Sequence, residues 1–455
     1  MDRDAIDFEN GKVSTLFRKL FIPTLIGSLS ISAMTAIDGI FVGHGIGSDG
    51  VAAINIAAPV WMVFAGLGIM MGVGCSVVTA IHLSHKKLKV ARLNVSQSLL
   101  FSFILTTIIC SVVMVFPKET ARLLGSSPHL EGMVSDYLLG LMPCFVFDMW
   151  TMTGLFVIRL DGSPRMAMWC NAICSICNIV LDWLMIIHLQ WGVLGAAIAS
   201  TISVVVGGTM TLIYLFGYAR TLRPIAIKMS RKSLMLSLRN VGYHCRIGSS
   251  SLLGETTLAF LVFIGNHVFM EYLGDEGVGA FGVACYYTPF IFMVGNSIAQ
   301  SAQPIISYNY GIQRFDYVRE ALRLLIVTAL VCGLMVTAVF ALFPKELVGL
   351  FLDPESPAAR LAIQGFPLFA FGFIPFIINI SIIGYLQSIE RVKLSTSFSL
   401  LRGVIFLLPC FYFLPMFGDV PGIWLSMSAT ELLTLAVIFC FVFWRKVLVQ
   451  HTSSK

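Results

Sequence analysis

Charged side chains are scarce in this 455-residue chain. Asp, Glu, Lys and Arg make up 12% of it, against about 25% in an ordinary soluble domain. Hydrophobic residues make up 57%, and mean hydropathy is +0.87. Water is therefore not its main solvent. Other absences narrow the field. The ten-residue alternating patterns of a transmembrane barrel are missing, which leaves helices to satisfy the backbone in lipid. No G-x-x-x-x-G-K-[ST] phosphate loop occurs and no connection is long enough for a nucleotide-binding domain, so hydrolysis by this chain is not expected; work drawn from an ion gradient requires no ATPase partner. No D-x-x-x-D cluster stands in a loop to hold magnesium beside a pyrophosphate, which counts against a membrane transferase for isoprenoid lipids; the chain is not expected to be an enzyme. Nothing resembles the filter repeat of a passive channel. The 11 Cys form no zinc signature; Cys170, Cys174 and Cys177 share a helical face and read as small buried thiols. An odd total scattered through apolar segments argues against a disulfide framework. The N-terminal MDRDAIDFENGK lacks a basic region ahead of a short apolar core, so it is not a signal peptide and the first span is expected to be retained.

What is present is a succession of apolar stretches, each of the roughly 20 residues that cross a bilayer as a helix. Twelve spans are expected near 16–38, 50–80, 93–116, 132–158, 165–187, 192–217, 241–272, 277–308, 318–343, 359–387, 393–416 and 420–443. The fold class is thus an all-α integral membrane protein. With the N-terminus inside, 25 Lys and Arg fall on the inner side and four (Lys118, Arg122, Lys345 and Arg360) on the outer side, with Arg402 inside a span. This asymmetry predicts both termini in the cytoplasm. The net charge of +6 then reflects topology and calls for no nucleic-acid partner; the partner is the lipid bilayer.

The word FPKE occurs at 116–119 and again at 343–346, an offset of 343 − 116 = 227 positions. The same offset aligns Gly50-Val51 with Gly277-Val278, Ala53 with Ala280, Gly68 with Gly295, Arg92 with Arg319 and Leu123 with Leu350. A constant offset over half the chain argues for duplication. Two six-helix lobes are expected, 1–227 and 228–455, joined by a cytoplasmic segment at about 218–240. Because six is even, they should be related by a pseudo-two-fold axis along the membrane normal. A cleft between such halves is transporter architecture, and without hydrolysis an ion gradient is the natural source of work.

The stretches AIDGIFVGHGIG, RLDGSPR, CNIVLD followed by GVLGAAIAST, and QPIISYNYG with the downstream YVREAL resemble those of the multidrug and toxic compound extrusion (MATE) family. The resemblance runs in order over nearly the whole chain. It implies a two-lobed, V-shaped antiporter of the cell (inner) membrane that expels amphipathic, mostly cationic, small organic compounds in exchange for Na+ or H+. No cofactor is implied, and a monomer is expected. A related duplicated fold, that of lipid-linked sugar flippases, is the alternative; few intramembrane Arg and Lys count against it.

Charges inside spans are costly and so are candidates for function. Asp38 closes the first span; on position alone it is either an interfacial aspartate or a functional one. Asn178 and Asp182 stand four residues apart, on one helix face. Their oxygens suit a small hard cation, and a carboxylate in low dielectric also suits a proton. By matching motifs, the family's ion site is carried onto Asp38, Asn178, Asp182 and Thr201, with Tyr137 a weaker match. Glu255 is the clearest buried acid of the second half, a candidate for binding cation or substrate. The further acid that some members of the family carry in the tenth span is absent from FIPFIINISIIGYLQ, which counts against a full sodium site in the C-lobe. Arg402 and Glu431 lie at similar depth in neighbouring spans and read as a structural ion pair. Asp148, in CFVFDMW, has no partner apparent in the sequence, and its role stays open between facing a cleft and pairing with another group. Pro23 should bend or loosen the first helix, either as a packing feature or as a gating kink moved by ion binding at Asp38. The 21 Met and 35 Phe suit a cavity for varied apolar cations and equally suit a lipid-facing surface.

Overall fold

The computed structural model describes residues 6–228, 230–353 and 355–445. Arg3, Lys446, Lys455 and the two chain termini, all assigned to the inner side above, lie outside the described residues. Every regular element among those described is helical. Among the described residues, nine helices are long and apolar enough to cross a membrane, or up to ten if a pair bent by 48° counts as one span. The protein is a multi-pass membrane protein.

Contacts divide the chain into two compact units, Met1–Glu255 and Thr256–Lys455. Unit 1 begins with α1 (Val13–Gly45), α2 (Ser48–Ser84) and α3 (Leu88–Val115), followed by the short α4 (Pro117–Leu123). Next come α5 (Glu131–Leu141), continued through a 3-10 turn into α6 (Phe145–Leu160), then α7 (Pro164–Asp182) and α8 (Gly192–Ile213). Wider π-type turns extend α7 and α8. Its core is apolar and aromatic: Phe64 stacks on Phe145 with ring centroids 4.1 Å apart. Unit 1 also takes the first part of α9 (Arg231–Gly311), a helix broken at Gly274.

Unit 2 holds the rest of α9, then α10 (Phe315–Leu342), the short α11 (Pro344–Gly349), α12 (Pro357–Ala370), α13 (Phe373–Ser388), α14 (Val392–Leu400) and α15 (Leu407–Arg445), the last broken at Asp419. Trp424 anchors its core, with edge-on contacts to Phe269, Phe366 and Phe369.

The offset of 227 seen in the sequence reappears in the backbone. Left-handed φ angles occur at Gly47 and Gly274, at Lys86 and Gln313, and at Gly192 and Asp419, and 274 − 47, 313 − 86 and 419 − 192 each equal 227. Both FPKE words leave a helix in the same way, with φ −123° at Phe116 and at Phe343, and open a short helix on the proline. That position favours proline, whose missing N–H would have no partner there.

The segment between α8 and α9, which lies within unit 1, is tied down by side chains of the same unit. Asp161 follows α6, and its Oδ1 accepts the N–H groups of Thr221 (3.0 Å) and Leu222 (2.9 Å), while Oδ2 accepts the Tyr214 hydroxyl at 2.8 Å. Arg92 donates through Nε to Thr221 O and through Nη2 to Arg220 O. The latter half of the expected 218–240 connection is helical, since α9 begins at Arg231.

Candidate functional site

The acidic candidates gather where α1, α5, α7 and α8 meet in unit 1. α1 packs along α7, which in turn packs on α8, and α5 lies against α8. This brings the C-terminal part of α1, carrying Asp38, to the end of α7, carrying Asp182. The two carboxyls lie close enough to interact directly, and the buried ring of Tyr137 from α5 stands beside both. Asn178, one turn before Asp182, donates through Nδ2 to Ser200 Oγ at 3.4 Å. Thr201, on α8, donates to Gly140 O at 2.7 Å.

The oxygens of this cluster are short of donors. Asp182 is 0% exposed and Asn178 1%, yet neither carboxylate oxygen of Asp182 has a hydrogen-bond partner, nor do Asn178 Oδ1 and Asp38 Oδ1. Buried polar atoms are normally paired, and an unpaired buried acceptor costs on the order of 1–3 kcal/mol, more when charged. Four such oxygens in one place make a site that lacks positive charge or protons, chemistry that a small cation or a proton supplies. Among the described residues no group of three or more His, Cys, Asp or Glu side chains is placed to hold a metal ion. The donors here are instead two carboxylates with an amide, and a hydroxyl is nearby.

The remaining candidates are not brought into this cluster. Glu255 lies on α9 beside Gly66 of α2, with Oε1 unpartnered. Asp148 lies in α6, buried beside the thiols of Cys144 and Cys174. Pro23 is buried inside α1 and lacks the N–H its turn would use. In unit 2, Arg402 Nε pairs with Glu431 Oε1, both side chains being at most 4% exposed. Asn379 completes the group: its Nδ2 donates to Glu431 Oε2 at 2.8 Å and to Glu431 O at 2.9 Å, while the Arg402 guanidinium lies over the Phe376 ring. Sequence reasoning missed Ser200, Cys144 and Asn379. Only Asn379 carried a signal, as an amide within an otherwise apolar run.

A helical multi-pass membrane protein with acids buried in its spans is, as a class, the scaffold of a membrane transporter. The family model described as MatE matches residues 23–184 and 251–413, and the chain belongs to the MATE family. It is similar to the multidrug export protein MepA of Staphylococcus aureus, 23% identical over 469 residues that cover 99% of this chain and 98% of the relative. MepA of Staphylococcus saprophyticus is also 23% identical, over 452 residues covering 96% and 95%. Among solved structures, the fold is similar to that of a multidrug resistance MATE family transporter of the MOP superfamily in an outward-facing conformation. The TM-score is 0.90 at 23% identity, with coverage of 98% and 99%. A MOP superfamily transporter from Pyrococcus furiosus gives 0.89 at 22% identity, covering 99% and 100%.

Proposed function

We propose that this protein is a secondary antiporter that exports amphipathic, mostly cationic, organic compounds in exchange for Na+ or H+. Membership of the MATE family and end-to-end similarity to proteins named for multidrug export support the substrate class. The observation that carries the coupling is the set of donorless oxygens on Asp38, Asn178 and Asp182. In this reading they bind the coupling ion, Thr201 and Tyr137 line the site, and Glu255 receives cation or substrate. The same proposal comprises twelve spans, with hairpins at Gly274 and Asp419, in two symmetric six-helix lobes, 1–227 and 228–455. The two family matches, which begin 251 − 23 = 228 residues apart, support the duplication. It also comprises inner-membrane residence, cytoplasmic termini and a monomeric state.

The test is efflux of a fluorescent organic cation from vesicles holding the purified protein, under an imposed sodium gradient or an imposed pH gradient. Efflux driven by one gradient and lost in Asp38→Asn and in Asp182→Asn identifies the ion and supports the site. No gradient-driven movement by folded protein overturns the reading. Pro23→Ala restores an N–H to α1; in this proposal it weakens coupling between ion and substrate, and unchanged coupling and substrate affinity would remove Pro23 from the mechanism.

A further inference from the structure

Asp148 takes no part in the site described above. It is 4% exposed, and its Oδ2 has no hydrogen-bond partner. Among the described residues no Lys, Arg or His pairs with it. Its titratable neighbours are the thiols of Cys144, one turn earlier, and Cys174 of α7, with Cys110 of α3 behind Cys144. The other helices packed on α6, which are α2 and α8, bring no titratable side chain against it among the described residues.

Small polar side chains lie between this carboxyl and the Asp38–Asp182 pair in an otherwise apolar core. Cys144 lies against the Thr201 hydroxyl, and next to Thr201 on α8 is Ser200, whose Oγ receives Asn178 Nδ2. Cys174 lies against Ser203, whose Oγ donates to Ser200 O at 2.9 Å. Leu141, Phe145, Met149 and Val204 fill the surroundings. From Asp182 back to Cys174 is eight residues of helix, about 12 Å.

We propose that Asp148 is a second proton-binding carboxyl of unit 1, set beyond the small polar side chains that flank the Asp38–Asp182 pair. The proposal rests on the ion-coupled reading of that pair. A carboxylate at this place has neither cation nor donor for Oδ2, and a bound proton removes both deficits.

The test is infrared difference spectroscopy of the purified protein in lipid across a pH titration, which reads protonated carboxyls whether or not transport occurs. The expected result is a protonated-carboxyl C=O band that changes with pH, is lost in Asp148→Asn, shifts in frequency in Asp148→Glu and survives in Asp182→Asn. Should Asp148→Asn fail to fold, the Asp148→Glu shift decides. A band assigned to Asp148 that stays constant over the whole titration overturns the proposal, because the carboxyl is then a permanent neutral packing group. Loss of no band in folded Asp148→Asn overturns it too. Failure of the antiport reading would appear in the vesicle efflux assay and not in this spectrum.

Discussion

Gly74 of α2 lies so close to the carbonyl of His244 in α9 that a Cβ at 74 would overlap it, and one turn along the roles exchange, with Gly248 against the carbonyl of Met70. This reciprocal crossing seats the first part of α9 in unit 1. Small residues at a helix crossing are what membrane helices use to bring backbones together. The His244 ring is then held on both sides, by Asn94 Oδ1 at 3.0 Å from Nε2 and Ser98 Oγ at 2.9 Å from Nδ1. Asn94 Nδ2 is spent on Val90 O, so Asn94 offers the ring an acceptor and the neutral imidazole carries its proton on Nε2. Gly74→Ala and Gly248→Ala should each overpack the crossing, at a cost of about 1–3 kcal/mol. Lowered thermal-denaturation midpoints in detergent check this, and unchanged midpoints would deny the crossing its weight.

Asp419 stands where the repeat elsewhere has a glycine. Its counterpart 227 residues earlier is Gly192, and the matched break at Gly274 answers to Gly47. Its φ of 45° with ψ of −135° is backbone that glycine tolerates and an L side chain does not, a strain on the order of 1–3 kcal/mol. Asp419→Gly should therefore raise the denaturation midpoint, although glycine gives back some of that gain through the greater freedom of the unfolded chain. A lowered midpoint would mean that the Asp419 side chain contributes more than its backbone costs.

How much of this was legible beforehand depended on the kind of residue. Asp38 and Asp182 stood out because a carboxylate in an apolar run is rare, and helical spacing alone placed Asn178 on the face of Asp182. Arg402 and Glu431 could be matched by depth, since opposite charges in lipid need partners. Ser200 and Cys144 could not be found, because small polar side chains are common in membrane helices and only packing distinguishes a site member from a helix contact. The breaks at Gly274 and Asp419 fall in the gaps left between the spans expected at 241–272 and 277–308 and at 393–416 and 420–443. That the start of α9 belongs to unit 1 depends on Gly74 meeting His244, a backbone contact between distant segments that no local pattern encodes.

The Asp161 carboxylate, part of the RLDGSPR stretch, serves as a clamp for the connecting segment through two backbone N–H groups and the Tyr214 hydroxyl. Hydrogen bonds to a charged acceptor contribute about 1.5–3 kcal/mol each. Asp161→Ala should free residues 219–228 and speed tryptic cleavage after Arg220 by tenfold or more, the equivalent of one such bond at ~1.4 kcal/mol per factor of ten. An unchanged cleavage rate would assign the anchoring to Arg92 instead.

The Arg402–Glu431 pair makes the strongest stability prediction. Both groups are buried, and the carboxylate also receives Asn379, so replacing one partner leaves the other charge without compensation. Arg402→Met and Glu431→Leu should each destabilise unit 2 by about 3–5 kcal/mol, whereas the double replacement by apolar residues of similar volume should recover most of that loss, because two desolvation penalties vanish together with the attraction. Asn379 then loses its side-chain acceptor but keeps the Glu431 main-chain carbonyl, to which it already donates at 2.9 Å. The check is a double-mutant cycle on denaturation midpoints, run beside vesicle efflux. A double variant that is stable and still transports makes the pair structural. One that is stable and no longer transports would move Arg402 and Glu431 into the transport mechanism and overturn that assignment.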